Sequence, residues 1–172
     1  MSDGGPGAAL RALVAAAVGD GRADPTDAVT VVERGDDPGP GVVLPALINR
    51  VDDDAAGDAS VVGVVPRIDP SLARRVAADI DAETRLVFTG SAADRLAGTE
   101  GAAVRSVLSA HGIDSYRHDG DSPVGVTLIG ERAIVGSFDD SGLAAVLWSD
   151  APPVREWAAA TCRRFLAAAD PV

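Results

Sequence analysis

The run VVGVV at residues 61–65 is the sequence feature that most constrains the fold. Five consecutive apolar residues without polar alternation indicate a strand that is covered on both faces, as in parallel sheets packed between helices. The following segment, 69–80, is predicted to form a helix with Asp69 as its N-cap and Pro70 at its first position. Another apolar strand follows at 84–88. This order predicts an α/β fold with a partly parallel sheet.

Apolar periodicity and turn residues predict the remaining elements. The predicted helices span 8–18, 42–51 with Pro45 in its first turn, 91–97 with Ser91 as its N-cap, 100–112, and 151–169. The predicted strands span 28–33, 114–118, 124–130, 132–138 and 143–149, and Gly130-Glu131 connects two of them as a tight hairpin. The last helix has an apolar stripe that should dock on the sheet: Val154, Trp157, Thr161, Cys162, Phe165 and Leu166.

The length of the chain is compatible with one domain. A chain of 172 residues buries roughly two-thirds of the surface that it exposes when unfolded. We divide it into an N-terminal tail with a short helix, residues 1–27, and an α/β domain, residues 28–172. The expected architecture of this domain is a mixed sheet flanked by helices.

The charge composition indicates the environment of the protein and argues against nucleic-acid binding. The chain has 26 acidic residues against 15 basic ones, all of them Arg, and a net charge of −11. Such a surface suits concentrated salt and indicates a salt-loving archaeon, although an ordinary acidic cytosolic protein is the alternative interpretation. The charge argues against direct binding of nucleic acid by this chain, which requires a basic face.

The cysteine content and the hydropathy pattern bear on metal binding and on the cellular location. Cys162 is the single cysteine and is expected to be a small buried apolar residue; with two His residues in the chain, neither a metal site nor a cofactor is expected. The sequence contains no apolar run of the ~18–20 residues that a membrane span needs, and its start lacks the features of a signal peptide. We therefore expect a cytoplasmic protein without membrane association.

Several short motifs occur in a characteristic order between residues 28 and 168: Tyr116-Arg117, Asp121, Pro123, Gly125, Phe138-Asp139-Asp140, and Asp150 with Pro152. This order resembles the effector-sensing domain of archaeal transcriptional regulators, of the methanogenesis-regulatory-protein middle-domain type and its TrmB relatives. The resemblance implies a fold similar to one half of the phospholipase D superfamily. It also implies a preceding winged helix-turn-helix, for which residues 1–27 are too short, so we expect a stand-alone sensor-like domain.

The phospholipase D signature, H-x-K-x4-D followed by G-S-x-N, aligns with this hairpin. The resemblance places Pro123, Gly125 and Gly130 at the His, Lys and Asp positions. Gly136-Ser137 match the G-S pair, and Asp139 replaces the Asn. The mechanism requires a His nucleophile and a Lys that neutralises the phosphate oxygens, and Pro and Gly provide neither. We therefore expect no catalytic residues and no enzymatic activity.

Seven residues are predicted to bind a ligand, each with a structural alternative. Arg67 follows a strand at the edge where open α/β sheets place ligands, and it can bind an anion or pair with Asp69. A polar group, Tyr116, Arg117 and Asp121 with His118 and Asp119, lies around a pocket mouth or simply along a strand edge. The resemblance places Ser137, Asp139 and Asp140 at the floor of the superfamily's active site; the alternative is turn chemistry.

These observations support three functional hypotheses. The first is a non-catalytic sensor of a small polar metabolite that forms a homodimer or pairs with a regulator. The alternative is a protein–protein interaction module without a ligand, which dimerises with full-length regulators. A third hypothesis is a hydrolase built on His118, Asp139 and Asp140.

Overall fold

Eight strands form one mixed sheet in the order β1-β7-β6-β5-β2-β3-β4-β8. A computed structural model describes residues 4–19, 29–49, 60–69, 75 and 83–172. In these residues the strands are β1 Thr30–Glu33, β2 Val61–Val65, β3 Thr84–Phe88, β4 Ile113–Arg117, β5 Gly125–Ile129, β6 Arg132–Asp139, β7 Gly142–Ser149 and β8 Asp170–Pro171. The helices in these residues are α1 Pro6–Val18, α2 Pro40–Asn49, α3 Gly90–Ala97, α4 Thr99–Ala110 and α5 Pro152–Ala167.

The sheet combines a parallel and an antiparallel half, which confirms the predicted single mixed α/β domain. Strands β2, β3 and β4 run parallel, whereas β5, β6, β7 and β1 continue the sheet as an antiparallel series beyond β2. The predicted hairpin is present, because Ile129 pairs with Arg132 across Gly130-Glu131. Gly130 takes a φ of 55°, a left-handed conformation that a glycine adopts without steric cost.

Helices α1 and α5 cover one face of the sheet. Val154 and Cys162 of the predicted apolar stripe are buried against the strands, and Trp157 and Phe165 pack on the same core; Ala158, outside the predicted stripe, is buried with them. Leu10 and Val14 of α1 join the same core and are 2% and 1% exposed. The division of the chain after residue 27 stays a prediction, but α1 itself packs on the sheet.

The other face of the sheet carries α2, α3 and α4. Among the described residues of this face, the apolar side chains form one cluster around α2 and the antiparallel strands and another around α3 and the end of β3. The predicted helix 69–80 lies largely outside the described residues. In the part of the chain that the structure describes, no helix is both long and apolar enough to cross a membrane.

Two helix starts differ from the predictions. Helix α2 begins at Pro40, so Pro45 lies in its interior instead of its first turn. Pro45 has no N–H to donate to the carbonyl of Gly41, and Nη1 of Arg75 donates to that oxygen instead at 3.3 Å. Thr89, not Ser91, is the N-cap of α3, and the Ser91 hydroxyl donates to the carbonyl of Pro66 at 3.3 Å.

Candidate functional site

A cavity of about 180 Å³ lies over the centre of the sheet, between α2 and α4. Its wall is almost wholly apolar and includes Ile48 of α2, Leu108 of α4, Leu86 of β3 and Ile134 of β6. Among the described residues of the wall, the polar side chains are Arg67, Asp69, Thr84 and Thr127. The cavity therefore combines an apolar body with a small number of polar groups, which is the usual composition of a small-molecule site.

Two glycines opposite each other explain part of this space. Gly125 of β5 pairs with Gly136 of β6, and both line the cavity. Neither residue has a side chain, and the side chains of Phe138 and Leu143 lie beside the backbone at this point. A Cβ at position 125 would lie 3.3 Å from Cε2 of Phe138. Position 125, where the resemblance places the catalytic Lys, is therefore bordered by an aromatic ring and carries no cation.

An irregularity between β6 and β7 shapes the same wall. Ser137 pairs with Ala145 and Phe138 pairs with Leu143, so Ala144 is an extra residue on β7. This bulge brings Leu143 beside Phe138, where both side chains line the cavity.

Ser137 lies on the opposite face of the sheet. Side chains alternate along a strand, so Ser137 shares the face of Val135, which belongs to the core under α1 and α5. Its Oγ is buried and has no hydrogen-bond partner among the described residues. The predicted ligand role of Ser137 stays a prediction, and its side chain is directed away from the cavity.

The turn between β6 and β7 is held by two arginines. Arg34, which follows β1, forms a bidentate ion pair with Asp139, with Nη1–Oδ2 and Nη2–Oδ1 distances of 2.7 and 3.0 Å. Its Nη2 also donates to the carbonyl of Leu143 at 3.0 Å. The hydrogen bond from Arg34, aided by the backbone N–H of Ser141, holds the pKa of Asp139 below its usual value.

Arg67 connects this turn to the cavity. Its Nη1 donates to the carbonyl of Asp139, and its Nη2 lies 3.9 Å from Oδ1 of Asp140. The side chain is 43% exposed and lines the cavity wall. Arg67, Asp139 and Asp140, predicted from separate motifs, are thus brought together by the fold.

Arg34 is a residue of this turn that was not predicted from the sequence. The signal that could have identified it is its position directly after a strand, but its partner Asp139 is 105 residues away. Only the antiparallel pairing of β1 with β7 brings Arg34 to the turn at the end of β6.

The predicted polar group around Tyr116 does not line the cavity. Tyr116 is half-buried in β4, between Val87 and Pro171, and Arg117 is exposed on the same strand. The His118 ring packs on Phe165 of α5 with a centroid distance of 4.9 Å. Within the described residues, no hydrogen bond or ion pair links Tyr116 or Arg117 to Arg67.

Asp121 lies apart from both of these groups, in the loop between β4 and β5, next to the first residue of α3. Its carboxylate accepts the N–H of Ser122 at 2.8 Å. Gly90, which has a φ of 52°, lies so close that a Cβ there would overlap this carboxylate. Of the seven predicted ligand residues, all of which are described, Arg67 is the one that lines the cavity.

Comparison with known families gives one match over most of the chain. The family model described as "Methanogenesis regulatory protein FilR1, middle domain" matches residues 45–168. No curated protein sequence gives a significant match.

Solved structures with a similar fold include enzymes and a DNA-binding protein. Nuc from Salmonella typhimurium, a phospholipase D family member, has a TM-score of 0.62 and 14% identity over 84% of this chain and 97% of Nuc. TrmBL2, an archaeal chromatin protein, has a TM-score of 0.58 and 12% identity over 95% of this chain and 60% of that protein.

Polyphosphate kinase from Porphyromonas gingivalis has a TM-score of 0.62 and 11% identity over 86% of this chain and 27% of the kinase. The chain therefore spans about 60% of TrmBL2 and about a quarter of the kinase. At these identities the likeness concerns the fold, and it confirms the expected phospholipase-D-like architecture.

Proposed function

This chain belongs to the family of the FilR1 middle domain, a domain of a methanogenesis regulatory protein, and from this premise we propose that it is a non-catalytic effector-sensing domain. The family makes it a domain related to transcription regulators. The binding of an effector is the step that we add. The observation that carries it is the cavity of about 180 Å³, which has Arg67 in its wall.

The absence of catalysis is supported by the hairpin residues. Pro123 and Gly125 replace the nucleophile and the cation that phosphoryl transfer on this fold requires. Asp139, a member of the hydrolase hypothesis, has its carboxylate bound to Arg34 and to the N–H of Ser141. A carboxylate that is engaged in this way is a poor general base, because its pKa is lowered.

From the sequence, the expected effector is a small polar metabolite. Arg67 is the wall residue that would contact a polar part of the effector at the rim of the cavity, because its guanidinium has donors beyond the one that bonds Asp139. We further propose that the domain acts in the cytoplasm as a homodimer or together with a DNA-binding regulator. The net charge of −11 disfavours direct contact with DNA.

Thermal unfolding with and without a fractionated pool of cellular metabolites tests the sensing function. A ligand at 100 times its Kd adds about 2.7 kcal/mol to the free energy of unfolding, which shifts the midpoint by several degrees. A pool that stabilises the wild type but not a Leu108→Trp variant would support binding in the cavity. If no fraction at any concentration shifted the midpoint, the sensing function would be wrong.

Hydrolysis of bis(p-nitrophenyl) phosphate tests the absence of catalysis. We expect no release of p-nitrophenol above the rate in buffer. A release that is lost in both His118→Ala and Asp139→Asn variants would instead support the hydrolase hypothesis.

The alternative, an interaction module without a ligand, remains a separate hypothesis. Sedimentation equilibrium over a wide concentration range measures self-association directly. A dimer whose dissociation constant is unaffected by every metabolite fraction favours the interaction module over the sensor.

A further inference from the structure

The ligand class can be inferred from the cavity, on the assumption that the proposed sensing function holds. We propose that the cavity binds an uncharged, mainly apolar small molecule, about the size of one substituted ring, that carries a single hydrogen-bonding group. This class differs from the polar metabolite that the sequence predicts, because the sequence does not reveal which side chains face the cavity.

The volume sets the size of the ligand. An engineered apolar cavity of ~150 Å³ accommodates benzene. A cavity of about 180 Å³ therefore has room for one ring and a short substituent. A sugar of comparable size would have to bury several hydroxyl groups, each of which costs free energy unless it finds a partner.

The wall sets the polarity of the ligand. Leu86, Ile134 and Leu108 approach from a strand of the parallel half, a strand of the antiparallel half and helix α4, so apolar groups surround the space on several sides. The glycine pair Gly125 and Gly136 adds backbone without polar side chains. Hydroxyl-rich ligands have few partners in such a wall, whereas an apolar ring gains by leaving water.

The few polar groups set the charge of the ligand. Arg67 and Asp69, of opposite sign, both line the wall, and the adjacent turn adds the Arg34–Asp139 pair and the exposed Asp140. Among the described residues this mixture provides no surplus of positive charge for an anion, and the carboxylates of Asp139 and Asp140 already face Arg34 and Arg67, so a cation would enter a mainly apolar space. A neutral group is therefore the best match.

Thr127 provides the partner for that group. It lies on the floor of the cavity, opposite Gly63 in the register of β2 and β5. Its hydroxyl has no hydrogen-bond partner among the described residues, so it is available to a ligand. A hydroxyl both donates and accepts, which suits an alcohol or a phenol.

The test uses the intact chain and four ring probes of similar size: toluene, benzyl alcohol, benzoate and benzylamine, with glucose as the polar comparison. Titrations followed by two-dimensional ¹H–¹⁵N NMR give both affinity and location. We expect toluene and benzyl alcohol to shift amide resonances of β2, β5 and β6, with benzyl alcohol the tighter of the two. Benzoate, benzylamine and glucose should cause smaller shifts at the same concentration.

Two variants locate the site. Leu108→Trp fills the cavity from α4 and should abolish the shifts, whereas Val107→Trp, at a position on the same helix that is 54% exposed, should leave them intact. Circular dichroism shows whether Leu108→Trp is folded.

Thr127→Val keeps the shape of the side chain and removes its hydroxyl. This variant should weaken benzyl alcohol by about three- to tenfold, the value of one hydrogen bond, and leave toluene unchanged. It provides a test of the inference that does not depend on filling the cavity.

Each outcome is decisive. Tighter binding of glucose, benzoate or benzylamine than of benzyl alcohol overturns the ligand class but leaves the sensing function standing. If a metabolite fraction stabilises the protein but no ring probe binds, the ligand class is likewise overturned and the sensing function still stands. If neither the probes nor any metabolite fraction binds, the sensing function fails together with the inference.

Discussion

The two faces of the sheet are packed differently. Under α1 and α5, twelve buried residues form one continuous core. On the face of α2, α3 and α4, the described buried residues form clusters of six and three, and the cavity lies between their elements. The first face is built for stability, because close packing leaves little space. On the second face, the described residues leave a cavity between their elements, and a binding site requires such a space.

The largest effect that this comparison predicts is on removal of α1. Deleting residues 1–19 exposes the surface that Leu10 and Val14 cover, and each of these side chains contributes about 1.5–3 kcal/mol on burial. We expect the free energy of unfolding, measured in urea, to fall by roughly 3–6 kcal/mol. Deletion of residues 1–3 alone is the control. An unchanged free energy after the longer deletion would show that residues 1–19 are a tail that the fold does not need.

A matched pair of leucine truncations compares the two faces directly. Leu147 is fully buried in the continuous core, whereas Leu86 is half-buried in the cavity wall. Leu147→Ala should cost about 2–5 kcal/mol, because the surrounding core cannot collapse into the new space. Leu86→Ala should cost less than half as much in the same urea measurement. Equal losses would mean that the two faces are packed equally well.

The third prediction concerns Cys162, which lies in the continuous core. Burial raises the pKa of its thiol to about 12, whereas an exposed thiol has a pKa of ~8.5. Between these values the unfolded chain loses the proton and the folded chain keeps it. Stability should therefore fall as the pH rises above ~8.5, by about 1.4 kcal/mol per pH unit, until the pH reaches the raised pKa.

The free energy of unfolding of the wild type minus that of a Cys162→Ala variant isolates this slope, because the titration of the other groups is common to both proteins. Below pH ~8.5 both states keep the proton and the difference should be flat. A difference that stays flat up to pH 11 would contradict the burial of the thiol.

The smallest effect is expected at the rim of the cavity. Arg34 lowers the pKa of Asp139 through its bidentate hydrogen bond, so the pair stabilises the fold above the ordinary pKa of Asp and loses that effect as the pH falls through the lowered pKa. In an Arg34→Gln variant, the pKa of Asp139 should move upward, as followed by NMR of the side-chain carboxyl carbon. Arg132→Gln, at a distant ion pair with Asp150, should leave it unchanged. No movement in Arg34→Gln would mean that the ion pair does not persist in solution.

Local patterns predicted most of the elements. The apolar run at 61–65, the hairpin at Gly130-Glu131 and the stripe of α5 depend on neighbouring residues and on the periods of strands and helices. The predicted helix boundaries were less accurate than the predicted positions of the elements. Pro45 lies in the interior of α2, because the helix begins at Pro40, and the carbonyl that proline leaves free accepts from Arg75, which is distant in sequence.

The candidate site was predicted only in part. Arg67, Asp139 and Asp140 do meet, but Ser137 is directed toward the other face and Tyr116 and Arg117 lie on β4. The bulge at Ala144 and the partnership of Arg34 depend on pairing between distant strands, which no local pattern reveals. The ligand roles of the seven residues stay predictions.

The kinds of residue and their order along the chain were enough to predict the α/β class and the family. Only the tertiary structure decided that α1 belongs to the core, that Arg34 holds Asp139, and that an apolar cavity lies above Gly125 and Gly136. The physical reason is that a cavity is a property of side chains from several elements that meet in space. Its shape follows from strand register and helix placement, which long-range contacts settle together.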